Sequence, residues 1–218
     1  MIRLLKSPIA PAISAGLLPL TLGVRSWWYP PSILVGTGVL ALIATLRQRV
    51  APVSRAAEMS ESDLTDDIVE EAPSDLRWIP AFLAFLLLAF GVGRITGWRF
   101  VLYPPLVVIG LEIFAHSGEC PWASRPLALP LACTMSAAAG VFLVGLLGAG
   151  PLAAAASILI GALVLRAFDL HVPPALAVGL LPFVMAHPDY RFPAAVAAGT
   201  LLQTTIFIAW RRRVLRAA

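Results

Sequence analysis

Charged residues are scarce in this chain: Asp, Glu, Lys and Arg make up 13% of its 218 residues, about half the share in an ordinary soluble domain. Lysine is almost missing, since Lys6 stands alone against fifteen arginines. The two cysteines, Cys120 and Cys133, form no Cys-x-x-Cys motif, so neither a disulfide framework nor a zinc site is expected. The sequence also lacks a phosphate-binding glycine loop and a recognisable set of catalytic side chains. We therefore expect no enzyme, no bound metal or cofactor, and no soluble globular domain.

Apolar residues dominate instead. They account for 59% of the chain and give a mean hydropathy of +0.87. They occur in runs of about 15 to 23 residues, close to the ~20 that an α-helix needs to cross ~30 Å of hydrocarbon. The sequence therefore predicts an all-α, polytopic transmembrane bundle with about eight spans. The predicted spans are Pro8–Val24, Pro31–Leu46, Trp78–Ile95, Phe100–Ala115, Leu127–Ala149, Pro151–Phe168, Val172–Ala186 and Phe192–Trp210.

The boundary between the fifth and sixth predicted spans is narrow. Only Gly148-Ala149-Gly150-Pro151 separates them, and glycine with proline can either end a helix or kink it. One kinked helix, and hence seven spans in all, is therefore the alternative.

The basic residues are distributed unequally between the two sides of the predicted bundle. With eight spans and a cytoplasmic N-terminus, twelve of the sixteen Lys and Arg residues lie on the cytoplasmic side, as the positive-inside rule requires. The cluster Arg211–Arg213 then marks the cytoplasmic end of the last span. We expect a multi-pass protein of the cell inner membrane with both termini in the cytoplasm. The net charge of +4 is explained in this way, and nucleic-acid binding is not expected.

One long polar stretch divides the chain. Residues 47–77 hold eight of the twelve acidic residues, a composition typical of a solvated linker. They separate a two-span unit at residues 1–46 from a six-span unit at residues 78–218. A cytoplasmic linker is the main interpretation, and a docking segment for a partner protein is the alternative.

A short motif is repeated three times. In each copy, a Pro-Pro pair is followed five residues later by glycine within an apolar run. The copies are Pro30-Pro31 with Gly36, Pro104-Pro105 with Gly110, and Pro173-Pro174 with Gly179. If residues 78–150 and 151–213 are two units, each holds three spans, and the Pro-Pro pair opens the middle one. Because three is odd, the units would cross the membrane in opposite senses, which predicts an inverted three-plus-three repeat as in many secondary transporters.

The starts of the two Pro-Pro spans are candidate sites for an anion. The first turn of a helix has backbone N–H groups without helical partners, and the helix dipole places a partial positive charge there. We expect these groups to bind a small anion, with the Tyr103 hydroxyl and the His171 ring as side-chain donors. The candidate substrate-binding residues are Tyr103, Pro104, Pro105, Gly110, Glu112, His171, Pro173, Pro174 and Gly179. The alternative is structural: Pro-Pro begins a helix, and the glycine lets two helices pack closely.

Three segments resemble the HPP family of integral membrane proteins, named for a His-Pro-Pro motif at the start of a transmembrane helix. They are Leu102-Tyr103-Pro104-Pro105, Ala123-Ser124-Arg125-Pro126 and His171-Val172-Pro173-Pro174. The resemblance extends over residues 101–210, in the family's order and spacing. Val172 here separates His171 from the prolines, and the Gly-His pair that usually opens the span after the second segment is missing. Plastid and cyanobacterial members are associated with nitrite transport, so the resemblance implies an anion transporter.

The sequence therefore predicts a membrane transporter or channel for a small anion, with nitrite as the substrate that the resemblance suggests. Its partners are expected to be the lipid bilayer and a small inorganic anion, and a homo-oligomer is compatible with the sequence. The alternative is a non-transporting scaffold or regulatory protein that contacts a partner through residues 47–77.

Overall fold

The computed structural model describes residues 15–16, 18–19, 23, 25–50, 76–118 and 121–217, and every regular element in these ranges is helical. The prediction of an all-α chain is confirmed for this part of the protein. The helices are α1 (Tyr29–Val50), α2 (Ile79–Thr96), α3 (Pro104–Ala115), α4 (Ala128–Leu147), α5 (Pro151–Ala167), α6 (Pro173–Leu180) and α7 (Arg191–Ala217). Short 3-10 turns occur at Arg99–Val101, Pro121–Ser124 and Leu181–Phe183.

Proline and glycine define many of the helix ends. Proline occupies one of the first two positions of α2, α3, α5 and α6, where its missing N–H group has no helical partner to lose. α2 ends at Gly97, whose φ of 73° is left-handed, a conformation that glycine adopts without strain. α4 ends at Gly148, whose φ of 76° is also positive but whose ψ of 176° is extended, a combination that essentially only glycine adopts. Residues 148–150 therefore separate two helices and do not merely kink one.

Four of the described helices are long and apolar enough to cross a membrane: α1, α2, α4 and α7. α4 and α7 form the centre of the bundle, since half of the spanning part of each is buried, against 17% for α2. α1 lies at the other extreme, and nearly all of its described side chains are exposed. α5 is slightly shorter at 17 residues, or about 25 Å.

The prediction of about eight helical spans is not supported. α3 has 12 residues, and α6 has eight, followed by the 3-10 turn that ends at Phe183. A 12-residue helix measures about 18 Å, well short of the ~30 Å hydrocarbon layer. The predicted spans Phe100–Ala115 and Val172–Ala186 are therefore α-helical over only part of their length. The predicted span Pro8–Val24 and the linker at 47–77 lie largely outside the described residues.

The long helices run between two ends of the bundle. At one end, called the Asp189 end, Asp189 shares a cleft with Gly97 after α2 and another with Leu146 near the end of α4. α7 begins there, at Arg191, and only three residues separate the end of α4 from the start of α5. α2 and α4 thus run toward the Asp189 end, and α5 and α7 run away from it.

Aromatic rings gather at the opposite end, called the Trp78 end. Trp78, which precedes α2, packs on Phe82 with ring centroids 5.7 Å apart. Phe82 contacts Phe114 of α3 at 6.1 Å, and Phe114 contacts Trp210 of α7 at 5.8 Å. The loop before α4 meets the end of α5 on the same side, where an Arg125 guanidinium N–H donates to the Phe168 carbonyl oxygen at 3.3 Å.

α3 begins inside the bundle and runs to the Trp78 end. Leu106, in its first turn, lies against Gly199, two turns into α7. Phe114, in its last turn, packs on Phe207 at 5.8 Å, two turns farther along α7. Residues 97–103 therefore lead from the Asp189 end to about mid-depth without forming an α-helix.

α6 also begins inside the bundle but runs the opposite way. Its Leu176 lies against Gly161 of α5, and its Gly179 lies against Ser157, one turn nearer to the start of α5. The chain then continues to Met185 and His187 in the cleft at the Asp189 end. α3 and α6 are thus two short helices that start within the bundle and run to opposite ends.

Helices α2–α4 make the same set of close contacts as helices α5–α7. Within each group, the first helix packs on the second: α2 on α3, and α5 on α6. The first helix also packs on the third helix of the other group: α2 on α7, and α5 on α4. The second helix does the same: α3 packs on α7, and α6 on α4. The remaining close pairs, α4 with α7 and α3 with α6, join helices that hold the same place in their own groups. The set of packed α-helix pairs is therefore unchanged when the two groups of three helices are exchanged, whereas the contacts of the 3-10 turns Arg99–Val101 and Leu181–Phe183 differ.

Candidate functional site

The two Pro-Pro helix starts meet at one cavity of about 330 Å³. Pro105 and Val108 of α3 line one side, and Pro173, Pro174 and Ala177 of α6 line the other. Ala15 and Leu18 of the N-terminal segment complete the lining. The structure thus brings together three of the predicted site residues, from helices that run in opposite directions. The positive ends of two helix dipoles are directed at this cavity, which is called the proline cavity below.

The backbone N–H groups that were expected to bind an anion are already engaged. The two prolines at each helix start have no N–H group. The next residue of α3, Leu106, donates its N–H to the Tyr103 carbonyl oxygen at 3.0 Å. In α6, Ala175 donates to the Val172 carbonyl oxygen at 2.9 Å. Since every lining residue is apolar, the proline cavity offers an anion the dipole field but no free first-turn donor.

Tyr103 and His171 are not brought together. Tyr103 is completely buried and its hydroxyl lies beside the Cys133 thiol of α4, whereas His171 is exposed. When the prolines are aligned, Tyr103 corresponds to Val172, and His171 corresponds to Leu102. Neighbouring residues of an extended segment point to opposite sides, so a shift of one residue turns a side chain from the core to the surface. Neither residue lines the proline cavity.

The repeat glycines Gly110 and Gly179 both lie at helix contacts. A Cβ at Gly110 would come within 3.0 Å of a ring carbon of Phe82 in α2. A Cβ at Gly179 would come within 3.0 Å of the Ser157 hydroxyl oxygen in α5, which donates a hydrogen bond to the Gly179 carbonyl at 2.9 Å. In each case the glycine lets its short helix approach the helix that precedes it in the chain, as the structural alternative proposed.

Glu112 lies away from the proline cavity. It follows Pro104 by eight residues, which is about 12 Å along the axis of α3. Its side chain is half-buried, and its backbone carbonyl accepts the His116 N–H at 3.0 Å. Glu112 therefore belongs to the end of α3 near the Trp78 end, where it does not line the cavity.

A set of buried polar side chains in α4, α5 and α7 was not predicted. These residues are Ser136, Ser157, Thr200, Gln203 and Thr204. The Thr204 hydroxyl donates to the Pro126 carbonyl at 3.1 Å, and the Thr200 hydroxyl donates to the Val196 carbonyl at 2.7 Å. Among the described residues, by contrast, neither amide atom of Gln203 has a hydrogen-bond partner. Uncharged polar residues inside an apolar span are the sequence signal that would have identified Gln203.

A basic cleft of about 360 Å³ opens at the Asp189 end. Arg99, Arg191 and His187 line it, together with the single acid Asp189. One Asp189 carboxylate oxygen accepts the backbone N–H of Arg191 at 3.0 Å, so this acid also caps the start of α7. The rings of Phe100 and Phe192, which meet edge to face at 5.3 Å, also line the cleft. We call this feature the arginine cleft.

Comparison with family models, with curated protein sequences and with solved structures finds no match to this chain. The resemblance to the HPP family therefore rests on the three motif segments alone. The implied link to nitrite stays a prediction.

Proposed function

We propose that this protein is a transporter or channel for a small anion, built as two inverted three-helix units that meet at the proline cavity. One observation carries the proposal. Two half-length helices, α3 and α6, start at the same half-open cavity and run to opposite ends of the bundle. Discontinuous helices whose positive ends meet near mid-membrane are a recurrent substrate site in transporters made of inverted repeats.

The matching contacts of the two helix groups support the inverted repeat. Pro173 and Gly179 each follow their counterparts Pro104 and Gly110 by 69 residues. Tyr103 and its counterpart Val172 are both buried. In the proposed arrangement, each Pro-Pro segment crosses the membrane with an irregular half and a helical half. Residues 78–217 would then cross six times, although α3 and α6 are too short to span alone.

The electrostatics of the cavity favour an anion over a cation. Each helix start carries roughly half an elementary positive charge, and apolar walls leave that field poorly screened. An apolar cavity also favours an ion that loses its hydration shell at modest cost. A small monovalent anion meets both conditions, and nitrite is the candidate that the HPP resemblance suggests.

The distribution of arginine supports an orientation in the inner membrane. Among the described residues that we assign to the bundle ends, Arg77, Arg125, Arg166 and the cluster Arg211–Arg213 belong to the Trp78 end. Arg94, Arg99 and Arg191 belong to the Asp189 end. The more basic side faces the cytoplasm by the positive-inside rule. We therefore place the Trp78 end and the C-terminus in the cytoplasm, with the N-terminus on the same side.

Purified protein in liposomes is expected to conduct nitrite. The initial nitrite flux should exceed that of protein-free liposomes by more than about tenfold, which corresponds to a barrier lowered by ~1.4 kcal/mol. A nitrite-sensitive dye inside the liposomes measures the flux, and sodium and potassium fluxes serve as controls. Flux at the protein-free rate for nitrite, nitrate and chloride, from protein that is monodisperse in detergent, would contradict the proposal.

The arginine cleft is expected to concentrate the anion before it enters. Replacing Arg99 and Arg191 together by glutamine should lower nitrite flux about 3- to 10-fold at ~0.01 M salt and hardly at all at ~1 M, because the screening length falls from ~30 Å to ~3 Å. Arg94→Gln is the matched control, since Arg94 lies in the last turn of α2 but does not line the cleft. If the double variant and Arg94→Gln change the flux equally, or if the effect of the double variant does not depend on salt, the anion enters elsewhere.

A further inference from the structure

Gln203 is an isolated polar group in the centre of the bundle. It lies in the fourth turn of α7 and is 0% exposed, and neither its amide oxygen nor its amide nitrogen is hydrogen-bonded within the described residues. A buried donor or acceptor without a partner destabilises a protein by about 1–3 kcal/mol. A leucine of similar size would avoid that cost, so Gln203 makes the fold less stable than leucine would at this position.

The neighbours of Gln203 on α7 show which element it faces. Residues four apart lie on the same face of a helix, so Gln203 shares a face with Gly199 and Phe207. Gly199 lies against Leu106 of α3, and Phe207 packs on Phe114 of α3. Gln203 therefore faces α3 between its first and last turns. α3 is the half-length helix whose start lines the proline cavity.

A second buried donor, the Tyr103 hydroxyl, lies on the segment that leads into α3. Gly199 also lies against the Val101 carbonyl, so the chain just before α3 crosses α7 one turn from Gln203. Tyr103, which lies between Val101 and Leu106, is completely buried, and its hydroxyl has the Cys133 thiol as its neighbour. The neighbouring Cys133 thiol is only a weak hydrogen-bonding group. The Gln203 amide and the Tyr103 hydroxyl thus supply three N–H and O–H donors without a formal charge.

We propose that Gln203 and Tyr103 form a polar binding site for a small monovalent oxyanion inside the bundle, next to the first turn of α3. This inference rests on the proposed transport function and names the side chains that bind the substrate. Neutral donors hold an anion strongly enough to replace part of its hydration and weakly enough to release it, as conduction requires. The dipole of α3 adds its positive end on the cavity side.

The test is a comparison of stability and nitrite flux in Gln203→Leu. Removal of the amide is expected to lower flux about 10- to 150-fold, the effect of losing a hydrogen bond to a charged group. The thermal-unfolding midpoint of the purified protein should stay the same or rise by about 2–4 °C. Gln203→Glu keeps the shape but loses both N–H donors and should also lose flux. Tyr103→Phe should lower flux in the same direction.

Thr204→Val is the matched control. Thr204 is a buried neighbour on the same helix whose hydroxyl is already bonded to the Pro126 carbonyl, so its loss should lower the midpoint and leave the flux per folded protein unchanged. A lower midpoint for Gln203→Leu, or unchanged flux in that variant or in Gln203→Glu, would overturn the binding site alone. Absence of flux in the unmodified protein would overturn the proposed function itself, and the two failures are therefore distinguishable.

Discussion

Gly140→Ala is expected to lower the thermal-unfolding midpoint of the purified protein by about 6–12 °C, the shift for an overpacked core that costs ~3 kcal/mol. Gly140 lies on α4 where α6 crosses it, and a Cβ there would overlap the carbonyl oxygen of Gly179. The obstacle is backbone, so no side-chain rotation can relieve it. The short helix α6 must shift as a whole, and the proline cavity must change shape with it. The midpoint is measured by heating samples to a series of temperatures and determining by size-exclusion chromatography the fraction that stays folded.

The control for this prediction is Gly145→Ala on the same helix. Nothing lies within 4 Å of a Cβ at Gly145, and alanine favours a helix over glycine by about 0.8–1 kcal/mol. Its midpoint should therefore equal or slightly exceed that of the unmodified protein. Similar midpoints for the two variants would mean that the close approach of α4 and α6 is not a constraint on the fold.

Ala177→Phe is expected to reduce nitrite flux to the rate of protein-free liposomes without preventing folding. Ala177 lines the proline cavity opposite Pro105, and a phenyl ring there would occupy much of its 330 Å³. Ala177 is exposed. A larger side chain therefore disturbs the packing less here than it would at a core position. Flux should fall by at least about tenfold, or ~1.4 kcal/mol in barrier height. The measurement is the same liposome assay.

Ala155→Phe serves as the comparison for Ala177→Phe. Ala155 is an exposed alanine on α5 and does not line the proline cavity, so the same change of size there should leave flux intact. If Ala177→Phe conducts as well as Ala155→Phe, the anion does not pass through the proline cavity, and the meeting of the two helix starts is purely architectural.

Several helix boundaries were predicted because their signals are local. Proline at a first-turn position and a left-handed glycine after the last turn act through the backbone of a few neighbouring residues. The starts of α3 at Pro104 and α6 at Pro173 follow from such signals, whereas the sequence left open whether Gly148-Ala149-Gly150-Pro151 ends a helix or kinks it. The apolar runs likewise predicted α2 and α4 to within about two residues, as expected for assignment from periodicity and length.

The side chains of the candidate site were predicted less well because their directions depend on distant contacts. His171 and Tyr103 sit at nearly the same place in the two motifs, yet one is exposed and the other buried. Their positions relative to the prolines differ by one residue. This difference matters because the segment before each helix is extended, so that neighbouring side chains point to opposite sides. Gln203 was overlooked because it stands in an apolar run with no motif around it, and its burial depends on packing against α3.

The sequence by itself determined that the described part of the chain is helical and that several of its helices are apolar and long enough to cross a membrane. Those properties depend on composition and on short-range backbone preferences. Only the tertiary structure decided that the Pro-Pro segments are half-length helices and that their starts share one cavity. It also decided that Gly199 admits the chain before α3 to the interior of the bundle. Such features arise from contacts between residues about a hundred positions apart, which the local backbone preferences of a sequence do not encode.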